Sequence, residues 1–136
     1  MFTVRYDHAS TCLRISVAGF WTPAMVPALG AALHAKGAEA RAACPDFDSI
    51  VESLDFPVQA QDVADLLAGV MADTMPLVRG HVAVVVGSQL NKAQAERTLL
   101  HPRLRVFRAI DEAERWLADQ RSSIPAVDPP SAGVAR

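Results

Sequence analysis

Residues 2–17 alternate between apolar and polar side chains, with a polar interruption at residues 8–11. Strands that bury one face show this period of two, because successive side chains point to opposite sides. The pattern predicts an antiparallel hairpin at one edge of a sheet. We expect Arg5 and Arg14 on its solvated face, opposite the buried one. The apolar positions of the two strands are Phe2, Val4, Tyr6, Leu13, Ile15 and Val17.

A helical period follows the hairpin. Thr22 and Pro23 are typical of a helix N-terminus, and the apolar residues 26, 29 and 33 share one face. Gly37 is a candidate C-terminal end, with residues 38–43 able to form one more turn.

Three further helices are predicted. Each begins near a capping residue or shows apolar residues at helical spacing. The second carries Val63, Leu66, Leu67 and Val70; the third is capped by Ser88 and carries Leu90, Ala93, Arg97 and Leu100; the fourth is capped by Asp111 and has Ala113, Trp116 and Leu117 on its inner face.

Strands separate these helices at residues 48–56, 81–87 and 104–108. The segment Val82–Val86 is apolar on both faces, as in a central parallel strand. Alternating strands and helices require right-handed crossovers, so we expect an α/β fold with a mostly parallel five-stranded sheet and an antiparallel N-terminal edge strand. The predicted domain is 1–121. Residues 122–136 are rich in proline and predicted to be a disordered tail.

Composition limits the function classes. The 136 residues suit one domain, and a net charge of −2 argues against a nucleic-acid binder. Cys12 and Cys44 lie far apart and do not form a CxxC motif. A structural disulfide framework is therefore not expected, which favours a reducing compartment. We see no signal peptide and no apolar run long enough to cross a bilayer, so a cytoplasmic protein without a membrane span is expected.

Charge is segregated along the chain. Seven acids and no Lys or Arg lie between Asp46 and Met75, whereas six bases and one acid lie between Arg79 and Arg108. One interpretation is that neighbouring β/α units pair their charges on the surface. The other is a bipolar molecule that associates through complementary faces.

With its elements placed, the chain resembles the SpoIIAA-like, or STAS-like, superfamily of small bacterial domains. The resemblance covers roughly residues 1–120 and implies a singly wound sheet, with regulatory or protein-interaction roles in the better-known members. The segments that carry it are Gly19-Phe20-Trp21, Ile50-Val-Glu-Ser-Leu-Asp55, Val82-Ala-Val-Val-Val-Gly-Ser88 and Arg105-Val-Phe-Arg with Asp111-Glu-Ala-Glu-Arg-Trp-Leu117.

The sequence departs from that family at one functional position. Anti-anti-sigma members carry a phosphorylatable serine in the turn between the third strand and the next helix. Here no Ser or Thr lies between Ser53 and Thr74. The phosphorylation switch therefore does not carry over.

Familiar catalytic motifs are absent from the sequence. It contains no GxxxxGK[ST], GxGxxG or GxSxG, and the four histidines have no ligand spacing. No nucleophile–base pair can be assembled. We therefore expect a non-enzymatic domain with no cofactor and no metal.

Three turns that follow predicted parallel strands carry the candidate binding residues. These are Phe20-Trp21, Phe56-Pro57-Val58 and Gly87-Ser88, with Lys92 one turn further on. Open α/β sheets bind ligands at this carboxyl edge, and a helix N-terminus favours anions. Alternatively, Ser88 only caps its helix and the aromatic rings only close the core.

Two functions remain open from the sequence. The first is a regulatory or protein-interaction domain that docks a partner, or a second copy of itself, through the loops around Phe20, Trp21 and Phe56. The alternative is a carrier or sensor of a small apolar or amphipathic ligand held in a pocket between the sheet and the helices. Tryptophan fluorescence distinguishes the two functions, because a ligand that enters near the ring of Trp21 or Trp116 should alter its emission.

Overall fold

The computed structural model describes residues 1–99 and 101–123, in which strands and helices alternate in the predicted order. Single 3-10 turns at Pro23–Met25 and Met75–Leu77 flank two of the helices. The elements are β1 (Phe2–Asp7), β2 (Cys12–Val17), α1 (Val26–Ala43), β3 (Asp48–Ser53), α2 (Gln61–Thr74), β4 (Val82–Val86), α3 (Gln89–Thr98), β5 (Leu104–Phe107) and α4 (Ile110–Ser123).

The five strands form one sheet in the order β1-β2-β3-β4-β5. β1 is antiparallel to β2, and the other three pairings are parallel. Since each strand lies beside the next one along the chain, the sheet is singly wound. This confirms the predicted α/β fold with an antiparallel N-terminal edge strand.

The two faces of the sheet are covered unequally. Helices α1, α2 and α3 lie on one face, where their side chains meet β2, β3 and β4. On the other face α4 packs Ala113 and Leu117 against Ile50, Ala83 and Val85. Every residue of β4 is buried, as its apolar sequence predicts.

The hairpin pairs Val4 with Ile15 and Arg5 with Arg14. Val4 and Ile15 lie on the buried face, as the alternation predicts. Arg5 is exposed, but the side chain of Arg14 is only 14% exposed. Its guanidinium pairs with Glu52 at 2.8 Å and with Glu114 of α4 at 3.1 Å. Ion pairing therefore covers a side chain that the strand pattern alone places in solvent.

α1 passes through Gly37, which is buried, and continues to Ala43, so the further turn allowed over residues 38–43 is confirmed and Gly37 is not the end of the helix. Two other predicted boundaries were wrong. β3 ends at Ser53 rather than at residue 56. α4 begins at Ile110, so Asp111 lies in its first turn instead of capping it. The described part of α4 extends to Ser123, two residues past the predicted domain end at 121. The predicted tail from residue 124, like Leu100, lies outside the described residues.

Among the described residues, the ion pairs do not join the acidic segment 46–75 to the basic segment 79–108. Asp46 and Asp48 pair with Arg121 of α4, at 3.6 and 2.9 Å. Asp48 is 4% exposed and also accepts a hydrogen bond from the backbone N–H of His81 at 2.9 Å. Burial raises the pKa of this carboxyl. These contacts join the C-terminal end of α4 to the start of β3.

Candidate functional site

A cavity of about 180 Å³ lies between the sheet and helices α1–α3. α1 packs on β1 and β2, and α3 packs on β4 and β5, whereas α2 packs chiefly on α1 and α3. α2 therefore lies between its two neighbours and stands off the centre of the sheet. The cavity occupies the space beneath it.

Most of the cavity wall is aliphatic. Val51 and Val84 form part of its floor on the sheet, and Leu29, Leu67 and Val70 line it from α1 and α2. Two of the polar residues on the wall are already bonded to the protein itself. Ser53 donates its hydroxyl to the carbonyl of Val85, and Thr74 donates to that of Val70 at 2.8 Å. An aliphatic wall of this kind disfavours water and accepts apolar molecules.

The buried amide of Gln59 fixes the entry into α2. Its Oε1 accepts a hydrogen bond from the backbone N–H of Trp21 at 2.8 Å, and its Nε2 donates to the carbonyls of Gly19 and Pro57 at 3.0 and 2.8 Å. The residue is 6% exposed. Because both polar atoms of a buried amide are satisfied, this contact holds the β2–α1 and β3–α2 loops together.

The structure brings two of the three predicted turns together. Phe56, Pro57 and Val58 line an open cleft with Gly87 and Ser88. A methyl group at Gly87 would overlap the carbonyl oxygen of Leu54, so this glycine allows the close approach of the two turns.

Ser88 and Lys92 have local structural partners. The Ser88 hydroxyl accepts a hydrogen bond from the backbone N–H of Asn91 at 3.0 Å, as a helix cap does. Lys92 pairs with Glu96 one turn along α3, at 3.2 Å. These contacts match the alternative in which the segment serves the helix start.

The two aromatic residues after β2 have opposite environments. Phe20 is 75% exposed, whereas Trp21 is 5% exposed. The Trp21 ring packs against Phe2 and Phe56, with centroids 5.9 and 5.7 Å away, and its Nε1 donates to the carbonyl of Ala18 at 3.0 Å. Trp21 is therefore a core residue, and Phe20 is the ring that a partner can reach.

Sequence reasoning missed the inner face of α3. Leu90 is 67% exposed, and Leu66 of α2 is 44% exposed, although both are aliphatic. The cavity is lined instead by Asn91, Gln94 and Ala95 of α3, and by Leu99 directly after it. Asn91 donates to the carbonyl of Phe56 at 2.9 Å. The sequence signal for this face is the i, i+4, i+8 spacing of residues 91, 95 and 99. It was missed because the first of these residues is polar.

The cavity and the cleft share part of their walls. Phe56, Pro57 and Asn91 line both. These three residues therefore form the wall shared by the cavity and the cleft at the carboxyl edge, the end of the sheet where the parallel strands finish. The Asn91–Phe56 hydrogen bond crosses this boundary.

The described residues show little reactive chemistry. No group of three or more His, Cys, Asp or Glu side chains among them could hold a metal ion. Burial raises the pKa of the Cys12 thiol to about 12, and burial together with Asp46 raises that of Cys44. Both thiols are therefore protonated near neutral pH and are poor nucleophiles.

No protein-family model, curated protein or solved structure matches the chain. Within residues 1–99 and 101–123, no helix has the length and apolar character needed to cross a membrane.

Trp21→Ala is expected to lower the free energy of unfolding by about 3–5 kcal/mol, because it removes a buried ring from the core. Phe20→Ala, the matched control at the next residue, is expected to change it by less than about 0.5 kcal/mol. Chemical denaturation of both variants measures the difference. Equal losses would contradict the assignment of one ring to the core and the other to the surface.

Proposed function

We propose that this domain binds a small apolar or amphipathic molecule in the cavity beneath α2, as a carrier or a sensor. The observation that supports this is the cavity itself, about 180 Å³ of space with a mainly aliphatic wall. An engineered apolar cavity of about 150 Å³ in another protein binds benzene. A molecule of roughly six to eight carbon atoms therefore suits the space here.

The lining supplies affinity through burial more than through polar contacts. Transfer of each methylene from water contributes about 0.8 kcal/mol, against the cost of association. The hydroxyls of Ser53 and Thr74 are already bonded to backbone carbonyls. A ligand gains little by replacing those bonds, so a hydrocarbon segment is favoured at the centre of the cavity.

Access is favoured at the carboxyl edge. There the wall consists of a short loop rather than a helix, and Phe56 and Pro57 face both the cavity and the open cleft. A ligand that enters here passes beside Phe56, whose ring contacts Trp21. The fluorescence of Trp21 is then a reporter of occupancy.

Filling the cavity tests the proposal. Ala64 of α2 lines the cavity, whereas Ala72 of the same helix is exposed. We expect Ala64→Leu to weaken binding of 1-octanol at least tenfold, since the added side chain occupies part of the space, and Ala72→Leu to leave it unchanged. Titration calorimetry with the full chain measures both, and thermal melts establish that each variant is folded.

Two results would contradict the ligand-binding proposal. One is the absence of 1-octanol binding by the wild-type protein. The other is unchanged binding in a folded Ala64→Leu variant, because the molecule would then lie elsewhere.

A second function, docking of a protein at the carboxyl edge, is favoured by the distribution of exposed apolar residues. Of the six large apolar side chains exposed in the described part of the chain, Phe20, Leu54 and Leu90 follow β2, β3 and β4, and Met1 precedes antiparallel β1. All four lie at one end of the sheet. Clustered exposed apolar groups are typical of interaction surfaces. The regulatory role implied by the SpoIIAA-like resemblance stays a prediction and belongs to this second function.

A photo-crosslinking amino acid placed at Phe20 tests the docking function in the host cell. We expect it to join the chain to a discrete partner, which can be a second copy. The same group at Leu66, which is exposed on α2 and lies outside the loops that carry Phe20, Leu54 and Leu90, is the matched control. Identical crosslinking patterns from the two positions would contradict a docking surface around Phe20.

A further inference from the structure

Arg41 is the charged side chain that lines the cavity in the described part of the chain. It lies in the last turn of α1, at the end of the cavity opposite Phe56. This placement follows from the crossover, because α1 begins at the carboxyl end of β2 and finishes near the amino end of β3. The cavity thus has an aliphatic centre and a cation at one end.

The Arg41 guanidinium has few partners. Within residues 1–99 and 101–123 it forms no ion pair, and its Nη1 donates to the carbonyl of Leu77 at a long 3.5 Å. By contrast, Arg14 pairs with two glutamates, and Arg121 with two aspartates. A guanidinium carries five N–H donors in a planar fork that matches a carboxylate.

Four other polar residues along the cavity donate to the protein itself. Ser53, Thr74, Gln59 and Asn91 all donate to backbone carbonyls. A ligand with a polar end therefore finds unused donors at Arg41. The carbonyl end of α1 carries a partial negative charge, but the full charge of the guanidinium outweighs it for an anion.

We propose that the ligand is a medium-chain carboxylate, with its hydrocarbon tail beneath α2 and its carboxylate on Arg41. This inference rests on the proposed ligand-binding function and names the class of ligand. Ser49 and Ser53, both on the cavity wall, are four residues apart in β3, which corresponds to about 13 Å along the strand. A space elongated in this direction favours an extended unbranched chain of about eight carbons.

The test compares two ligands that share a tail and differ in the head group. Octanoate and 1-octanol are titrated by calorimetry into the full wild-type chain, Arg41→Gln and Arg5→Gln. Arg5 is an exposed arginine of β1, so Arg5→Gln makes the same change of charge outside the cavity wall. We expect the wild type and Arg5→Gln to bind octanoate about tenfold more tightly than 1-octanol, the effect of a charge-assisted hydrogen bond.

In Arg41→Gln the preference for octanoate should disappear, while the affinity for 1-octanol is retained and shows that the cavity is intact. The preference in the wild type should also decrease as salt is added, since Arg41 is partly exposed. Binding of 1-octanol without a preference for octanoate, or a preference that survives Arg41→Gln, would overturn the carboxylate assignment and leave the ligand-binding function standing. Failure of both ligands to bind the wild type would overturn both.

Discussion

The position of α2 depends on one buried amide. Gln59 joins the backbone of Trp21 and Gly19, after β2, to that of Pro57, after β3. A buried amide that lost these partners would leave polar backbone groups unsatisfied at a cost of about 1–3 kcal/mol each. The loop before α2 is therefore held where it is. α2 packs chiefly on α1 and α3, with Val63 at its start buried in the core that β2 shares.

The space beneath α2 has an energetic cost. At about 24 cal/mol per Å³, a fully enclosed void of 180 Å³ would correspond to about 4 kcal/mol of lost packing, and because the space here is partly open this figure is an upper bound. The free energy of unfolding of a domain is only about 5–15 kcal/mol, so a packing cost of this size is a large fraction of it. A ligand that fills the space would recover part of the loss and stabilise the folded state by mass action. The cost is consistent with a cavity that is occupied when the protein functions.

The carboxyl edge connects the two proposed functions. Phe56 and Pro57 form part of the cavity wall and part of the cleft that opens beside Gly87. Asn91 at the start of α3 holds Phe56 through its carbonyl. A molecule that enters the cavity here must displace this wall, beside the exposed side chains of Leu54 and Leu90. Ligand entry and protein docking would therefore involve neighbouring loops.

The strands and their order could be predicted from the sequence because their physical signals are local. The period of two over residues 2–17 and the apolar run Val82–Val86 each depend on which faces of one strand are buried. The residues of the candidate site were harder to predict than the strands. Gln59 and Asn91 are polar residues turned inward, and Leu90 is apolar and turned outward.

Those orientations are set by hydrogen-bond partners that are distant in the sequence, such as the carbonyls of Gly19 and Phe56. The spacing of apolar residues along the chain does not identify such partners. The sequence predicted that the turns at the carboxyl edge meet. The cavity, by contrast, depends on the distance between α2 and the sheet. That distance follows from tertiary contacts rather than from the pattern of α2 itself.

Mapping of methyl chemical shifts in the NMR spectrum during titration with octanoate tests the central claim most directly. Binding beneath α2 predicts the largest changes at Val51, Leu67 and Val84, which line the cavity, and small changes at exposed Leu66 of the same helix. Changes confined to exposed methyl groups such as those of Leu66 and Leu90, or no changes at saturating octanoate, would contradict a ligand site in this cavity.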